Sequence, residues 1–547
     1  MLKIKPTLRL LTAALLLNLL IPAIATADNG TFTNPIMEGA DPWVFEHEGT
    51  YYLVQSEGQV GVSLRRSDDL TRWGDRHVIW QAPEDTMYSR EVWAPKLYHL
   101  DGRWYIYTAA SDGQNKNHRM YVFQSEGDDP LGPYTNKGAL YTGNHIETGE
   151  HNRWAIDGIV MHHQGQRYFV WSGWPADGDV QYLYIAEMTN PWTISTNRVK
   201  LADNADYDWE RVNNSPDERG LHEGPQVLKR DGRLMLVYSC SASWLPTYKL
   251  GLLTLQPDGD PMNPDHWHKH PEPVFAPTDE TFGVGHNSFT TSPDGTEDWI
   301  VYHAKVDRNP GWRRAIYAQP FNWTDDGLPD LGQPVAAGEP VPLPSGQAAR
   351  DVEPAFETNF ETSPLENTWS FYGHHRAMDV RDDGLHLGVN TFQDPAYMHR
   401  TGEKVVRHNF HAADLHVQTR LRFVDGNRDA GILFRIQRPA MGYDAQQGYF
   451  AGLVPESQML ILGKTDGENW QELARTEVTI NTDEWHELAV TAEGETIVVH
   501  HNGEAKLEHQ DATWTQGSVG LRVVDTHAVF EAVEATTLVP ASHEPRP

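Results

Sequence analysis

The chain has 547 residues, a formal net charge of −32, one cysteine, 19 tryptophans and 21 tyrosines. That length exceeds what a single hydrophobic core ordinarily organises, so two domains are expected. The acidic balance excludes a nucleic-acid-binding protein, which needs basic patches to meet phosphate, and the lone Cys240 excludes a fold held by internal disulfides.

The chain begins with MLKIKPTLRLLTAALLLNLLIPAIATA (residues 1–27). A basic start, an apolar stretch and the small-residue pattern Ala25-Thr26-Ala27 mark a signal peptide cleaved before Asp28. The apolar part, residues 10–20, is too short to span a bilayer comfortably, and no later segment is apolar enough to do so. The expectation is a protein secreted or periplasmic, with no membrane partner.

From residue 28 to 332 one pattern recurs: a polar residue, a strand, a Gly turn and an aromatic-rich strand. Its copies are GADPWVFEHEGTYYLVQS (39–56), WAPKLYHLDGRWYIYTAA (93–110), AIDGIVMHHQGQRYFVWSG (155–173), HEGPQVLKRDGRLMLVYS (222–239) and GHNSFTTSPDGTEDWIVYHA (285–304). Helical periodicity is nearly absent and turn signals such as DG, EG and NP are frequent, so the class is all-β. Five such hairpins, each the inner part of a four-stranded unit, predict a five-bladed β-propeller. Cys240 ends the fourth aromatic strand, where a small buried apolar role is expected.

GQPVAAGEPVPLPSGQAAR (332–350) has no periodicity and is rich in Pro, Gly and Ala. It predicts a semi-rigid linker at 333–351. Residues 352–540 then alternate again, as in ADLHVQTRLRF (413–423), DAGILFRI (429–436) and WHELAVTAEGETIVVHHNGE (485–504). Strands of this length joined by EG and NG turns predict a β-sandwich of jelly-roll or concanavalin-like form.

In a propeller the inner strands begin near the central axis, so Asp41, Trp93, Asp157, Glu223 and His286 are expected to converge on one face. Any one carboxylate among these would read as a solvated turn residue. Three at equivalent blade positions are different, because like charges in a cleft raise at least one pKa and let one group act as acid while another stays a base. Hydrolysis of a glycosidic bond needs that pair of states. The flat aromatic rings agree with a sugar ligand. His-containing runs at 117–119, 151–153 and 162–164 lack metal-site spacing and read as loop histidines.

The stretches NPIMEGADPWV, WAPKLYHLDGRWYIYTAA, NHRMYVF, WAIDGIV, YFVWSGW, HEGPQVL and VGHNSFT…VYHA resemble glycoside hydrolase family 43 over residues 34–332. The resemblance implies a five-bladed propeller that inverts anomeric configuration. It implies Asp41 as general base, Glu223 as general acid and Asp157 as the carboxylate that raises and orients the acid. Inversion requires base and acid to be roughly 6.5–9.5 Å apart, with water between. His286 matches the family's axial histidine, which holds a Ca²⁺ directly or through water; no cofactor is expected for the chemistry itself. Arg314 resembles the arginine that reaches the terminal sugar, with its neighbour Arg313 as the alternative, and Trp93 the floor or wall of the sugar pocket.

Residues 485–504 and 517–535 resemble concanavalin-like sandwiches, including carbohydrate-binding module family 66 and laminin-G-like domains. Polysaccharide binding and mere stiffening of the enzyme are equal expectations for this second domain. The leading expectation for the whole is a monomeric, exo-acting α-L-arabinofuranosidase acting on arabinan or arabinoxylan side chains of plant-type polysaccharide. A β-D-xylosidase is the close alternative, and a sugar-binding propeller without catalysis the alternative from another class. Fructan-active enzymes carry WMNDPNG-like and EC motifs where this chain has GADPW and HEGP.

Overall fold

The protein is described by a computed structural model covering residues 30–347 except 75 and 177, then 352–360, 368–373, 377–388 and 402–538. The expected signal peptide with its cleavage point, and residues 348–351 of the expected linker, lie outside the described residues. Nearly every element is a strand, and five separate sheets form the blades of a propeller.

The blades follow the chain. The first runs Trp43–His47, Thr50–Ser56, Gly61–Ser67 and His77–Gln81, and the second Arg90–Leu100, Arg103–Ser111, Arg119–Ser125 and Tyr134–Ala139. The third is built on Ala155–His163, Gln166–Gly173 and Tyr182–Asn190, with two short strands sharing its outer edge. The fourth runs His222–Arg230, Arg233–Cys240, Lys249–Leu255 and Trp267–Lys269. The fifth has Phe282–Thr291, Asp298–Lys305 and Arg314–Trp323, and its outer strand is Met37–Glu38 from the start of the chain, registered Met37 to Ile316 and Glu38 to Ala315. That exchange closes the ring, leaving only short edges.

Turn chemistry explains the repeat. Four inner hairpins turn through two residues with positive φ, at Glu48-Gly49, Asp101-Gly102, Gln164-Gly165 and Asp231-Gly232. Such mirror-image turns match the right-handed twist of paired strands. The fifth blade uses a longer loop between Thr291 and Asp298, which accounts for its wider spacing in the sequence. Aromatic and β-branched side chains fill the space between blades, and Trp171, Tyr107, Tyr238 and Trp299 are fully buried. Cys240 is buried too, with its thiol against the Lys249 carbonyl.

Among the described residues, the C-terminal part is a 13-stranded sheet around a large apolar core, with a smaller cluster of Tyr372, Val406, Leu433, Ile436 and Phe450 beside it. Two long strands, Leu415–Gln437 and Ser518–Thr537, pair along almost their whole length. Register breaks near Phe423–Asp425 and Gly426–Asp429 bend them, so segments that look like separate strands in the sequence are continuous. This part meets the propeller at its closing strand, where the Glu38 amide donates to the Gly373 carbonyl. The Thr33 hydroxyl likewise donates to the Pro439 carbonyl at 2.7 Å.

Candidate active site

The inner strands share a local distortion. Residues near their starts have left-handed backbone: Asp41 (φ 52°), Ala94 (42°), Asp157 (57°), Gly224 (48°) and His286 (45°). In blades two to five the strand register breaks at the same place. Bulges of this kind re-aim side chains beside active sites, and a non-glycine residue held there costs roughly 1–3 kcal/mol. At Gly224 the glycine adopts that φ without strain, and a Cβ there would crowd the His286 ring at 3.1 Å.

The distortion turns a set of polar side chains into the axis. Asp41 Oδ1 lies 3.2 Å from His286 Nδ1, 3.2 Å from His303 Nδ1 and 3.3 Å from an Arg314 guanidinium nitrogen. His286 Nδ1 is also 4.0 Å from Asp157 Oδ2, which accepts the Gly224 amide at 3.1 Å. Glu223 has its own partners: Gln181 Nε2 donates to one carboxylate oxygen at 3.1 Å and the Tyr248 hydroxyl to the other at 2.9 Å. The residue before it, His222, faces the opposite way, as strand alternation requires. It bonds buried Glu210 at 2.7 Å, inside a blade-four network with Tyr238 and Lys269.

Five of the six residues singled out from the sequence therefore come together: Asp41, Asp157, Glu223, His286 and Arg314. Arg313 pairs with Asp307 instead, which leaves Arg314 as the arginine on Asp41. Trp93 takes a different place. Its ring stacks on His118 at 4.0 Å and its indole N–H donates to Gln59, so it stands in the rim of the axial face. The blade-two side chain that enters the axis is Lys96, fully buried with Nζ 3.2 Å from His286 Nε2. Lys96, His303, Gln181 and Tyr248 were not anticipated. Lys96 lies inside WAPKLYHL and His303 inside VYHA, so a charged or titratable residue within an apolar strand was the available signal for both.

The three carboxyl groups are pushed apart electrostatically. Burial raises Asp41, but Arg314, His286 and His303 outweigh it and hold the group well below the usual carboxylate range. Burial, reinforced by the charges of Glu223 and Asp41, drives Asp157 well above that range against the opposing pull of Lys96. Glu223 is raised by burial to about 6, with Tyr248 and Gln181 limiting the rise. Burial holds His286 neutral, well below its ordinary value, and pulls Lys96 down to about 8 despite Asp157 and Asp41.

These contacts decide whether His286 suits a calcium ion. The Lys96 ammonium donates to Nε2, and Nδ1 faces Asp41. Calcium takes six to eight oxygen ligands, whereas here a fixed cation already covers the free nitrogen. The residues around His286 do not fit a calcium site, contrary to the expectation from the resemblance.

Comparison with known proteins gives the family. The profile of glycosyl hydrolases family 43 matches residues 32–329. The chain belongs to that family. Residues 355–534 match a second profile, the 3-keto-alpha-glucoside-1,2-lyase-like domain. Within family 43, alpha-L-arabinofuranosidase 43 of Humicola insolens is 34% identical over 323 residues, 56% of this chain and 64% of that relative's length. An extracellular exo-alpha-(1->5)-L-arabinofuranosidase of Streptomyces avermitilis is 35% identical over 361 residues, 61% of this chain and 71% of the relative. Among solved structures, the alpha-L-arabinofuranosidase from Lactobacillus brevis superposes with a TM-score of 0.51 at 34% identity, covering 56% of this chain and 98% of that one. Among the described residues, no helix of this family 43 chain is long and apolar enough to cross a membrane.

Proposed function

We propose that this chain is an exported, inverting α-L-arabinofuranosidase that removes terminal arabinofuranose from arabinan or arabinoxylan side chains. One observation carries the reaction type: three carboxyl groups meet around His286 on the propeller axis, with Asp41 against Arg314 and two histidines and Glu223 against the neutral donors Gln181 and Tyr248. These surroundings favour an ionised Asp41 and a Glu223 carboxyl raised to about 6. Asp41 would take a proton from the attacking water, and Glu223 would give one to the leaving oxygen. Their separate sets of partners suit groups that act on opposite faces of a sugar. Asp157, kept neutral by burial, would orient the acid through the Gly224 turn, and Arg314 would fix both Asp41 and the sugar.

The sugar assignment rests on the three similar proteins above, all named arabinofuranosidases and one of them extracellular. Export is proposed on that basis and on residues 1–27. The first test is hydrolysis of paired aryl α-L-arabinofuranoside and aryl β-D-xyloside by the chain lacking residues 1–27, with Asp41→Asn as control. Preference for the arabinofuranoside, lost in the control, supports the reading. Preference for the xyloside replaces it with a β-D-xylosidase, and no turnover of either replaces it with a sugar-binding propeller. The anomer released first, followed by proton NMR, decides inversion.

A further inference from the structure

The exposed tryptophan at the mouth of the site has no part in the mechanism above. Exposure rises from Asp157 at 3% and Glu223 at 8% through the Asp41 side chain at 21% to Trp312 at 56%. Trp312 lies two residues before Arg314, whose guanidinium sits 5.4 Å from the centre of its ring. Its loop joins the second and third strands of blade five. The corresponding loop of blade four carries Trp244, whose ring is 5.5 Å from that of Trp312 at an interplanar angle of 53°.

Both loops are held in place. Trp244 packs on the buried cluster of Val212, Leu221, Ala242 and Leu245. The Gly311 amide donates to the Trp244 carbonyl at 2.8 Å, and Lys305 Nζ holds the Gly311 carbonyl at 2.6 Å. Four residues after Trp244 the same loop reaches Tyr248, whose hydroxyl is bonded to Glu223. The pair is thus tied by one loop to the arginine on Asp41 and by the other to the donor on Glu223.

Neighbouring aromatic rings are less exposed and are stacked on one face. Trp93 is covered by His118, and Trp154 and Trp174 stack face to face at 4.5 Å and 9°. Among the described residues the tilted Trp312, 56% exposed, is the tryptophan most open to solvent. An exposed indole fixed beside a polar pocket offers flat apolar area with little ordering cost on binding. Sugar rings present C–H faces that stack on such area.

We infer that Trp312, backed by Trp244, forms a stacking platform for the sugar ring on the leaving-group side of the scissile bond. The pocket holds the terminal sugar, and Glu223 protonates the oxygen that leads out of it, so the next ring emerges where exposure is greatest. The inference rests on the glycosidase reading above. It adds that the natural substrate is an oligosaccharide or polymer whose second ring is recognised.

Two substrates separate the possibilities: α-1,5-linked arabinotriose, which has rings beyond the bond, and α-L-arabinofuranosyl fluoride, whose leaving group is too small to reach Trp312. In Trp312→Ala, KM for the triose is expected to rise about tenfold, equivalent to about 1.4 kcal/mol, with the fluoride unchanged and Trp312→Phe restoring much of the loss. Equal losses on both substrates, or no change on the triose, overturn the platform. If the unaltered protein hydrolyses neither compound, the arabinofuranosidase reading fails instead. The same comparison is then made with xylotriose and β-D-xylosyl fluoride, and it decides the platform by the same criteria.

Discussion

Lys96 Nζ lies 3.2 Å from His286 Nε2, and both side chains are buried on the propeller axis. An ammonium can only donate, so Nε2 accepts and the imidazole carries its proton on Nδ1, toward Asp41. The neutral histidine thereby becomes a fixed donor to the proposed base. Lys96 is fully buried and acts through His286; it is a positioning residue.

Replacing Lys96 by Met removes that donor and the positive charge that favours ionised Asp41 and Asp157. We expect kcat/KM to fall by about 10²-fold, the scale of a misplaced catalytic group. The acidic limb of the pH–rate profile should also move to higher pH, because Asp41 becomes harder to ionise. A lower rate with an unshifted profile would mean that Lys96 only fills space. Since the ammonium stands where a metal would meet His286, added calcium or a chelator should leave the unaltered enzyme's rate unchanged, as an assay with each will check.

Glu223 must be protonated to act as the acid, and its carboxyl is raised to about 6. The rate should therefore fall as pH rises through about 6, as an apparent value shared with the neighbouring carboxyls. Tyr248 donates to the charged form and so holds that value down. In Tyr248→Phe the falling limb should shift to higher pH, and a shift to lower pH would contradict the assigned hydrogen bond.

Protonation matters in proportion to how poor the leaving group is. Glu223→Gln should lose about 10²–10⁴-fold on an oligosaccharide, the usual scale of general acid catalysis. On an activated aryl glycoside the loss should be far smaller. Steady-state rates across a series of aryl leaving groups will show this as a steeper dependence on the leaving-group pKa. Equal losses across the series would remove Glu223 from the acid's role.

Much of this site was legible from the chain because propeller blades repeat both turn and strand. The Asp-Gly and Glu-Gly turns fixed hairpin register, and register carried Asp41, Asp157, Glu223 and His286 to one end of the axis. Trp93 was expected on the axis itself, and its displacement from it has a definite reason. The break in strand register around Ala94 shifts which residue enters the axis, and spacing alone does not locate a bulge. His303, Gln181 and Tyr248 escaped notice because they lie on or just before second and third strands. They reach the site through sheet pairing and ring closure, with His303 separated from Asp41 by 262 positions. In the second domain, the 413–423 and 429–436 runs were legible as strands but not as one, since a bulged strand interrupts the alternation that reveals it.

The closing strand carries a liability that stability measurements can expose. Glu38 is 2% exposed and neither carboxylate oxygen has a hydrogen-bond partner. Burial first, and then the charge of Glu403 across the interface between the two parts, drives its pKa well above the ordinary value, against a weaker pull from Arg313. A raised carboxyl binds its proton more tightly when folded, so the favourable contribution is present below the unfolded value of roughly 4.3 and is lost as pH rises through the folded value. Glu38→Gln keeps the shape and removes the charge. Its melting temperature should match the unaltered protein at pH 4 and exceed it increasingly toward pH 8, a gain of roughly 1–3 kcal/mol if the relief matches that of an unsatisfied buried group. A variant that is equally or less stable at pH 8 would mean that Glu38 is ionised and paired in the folded protein.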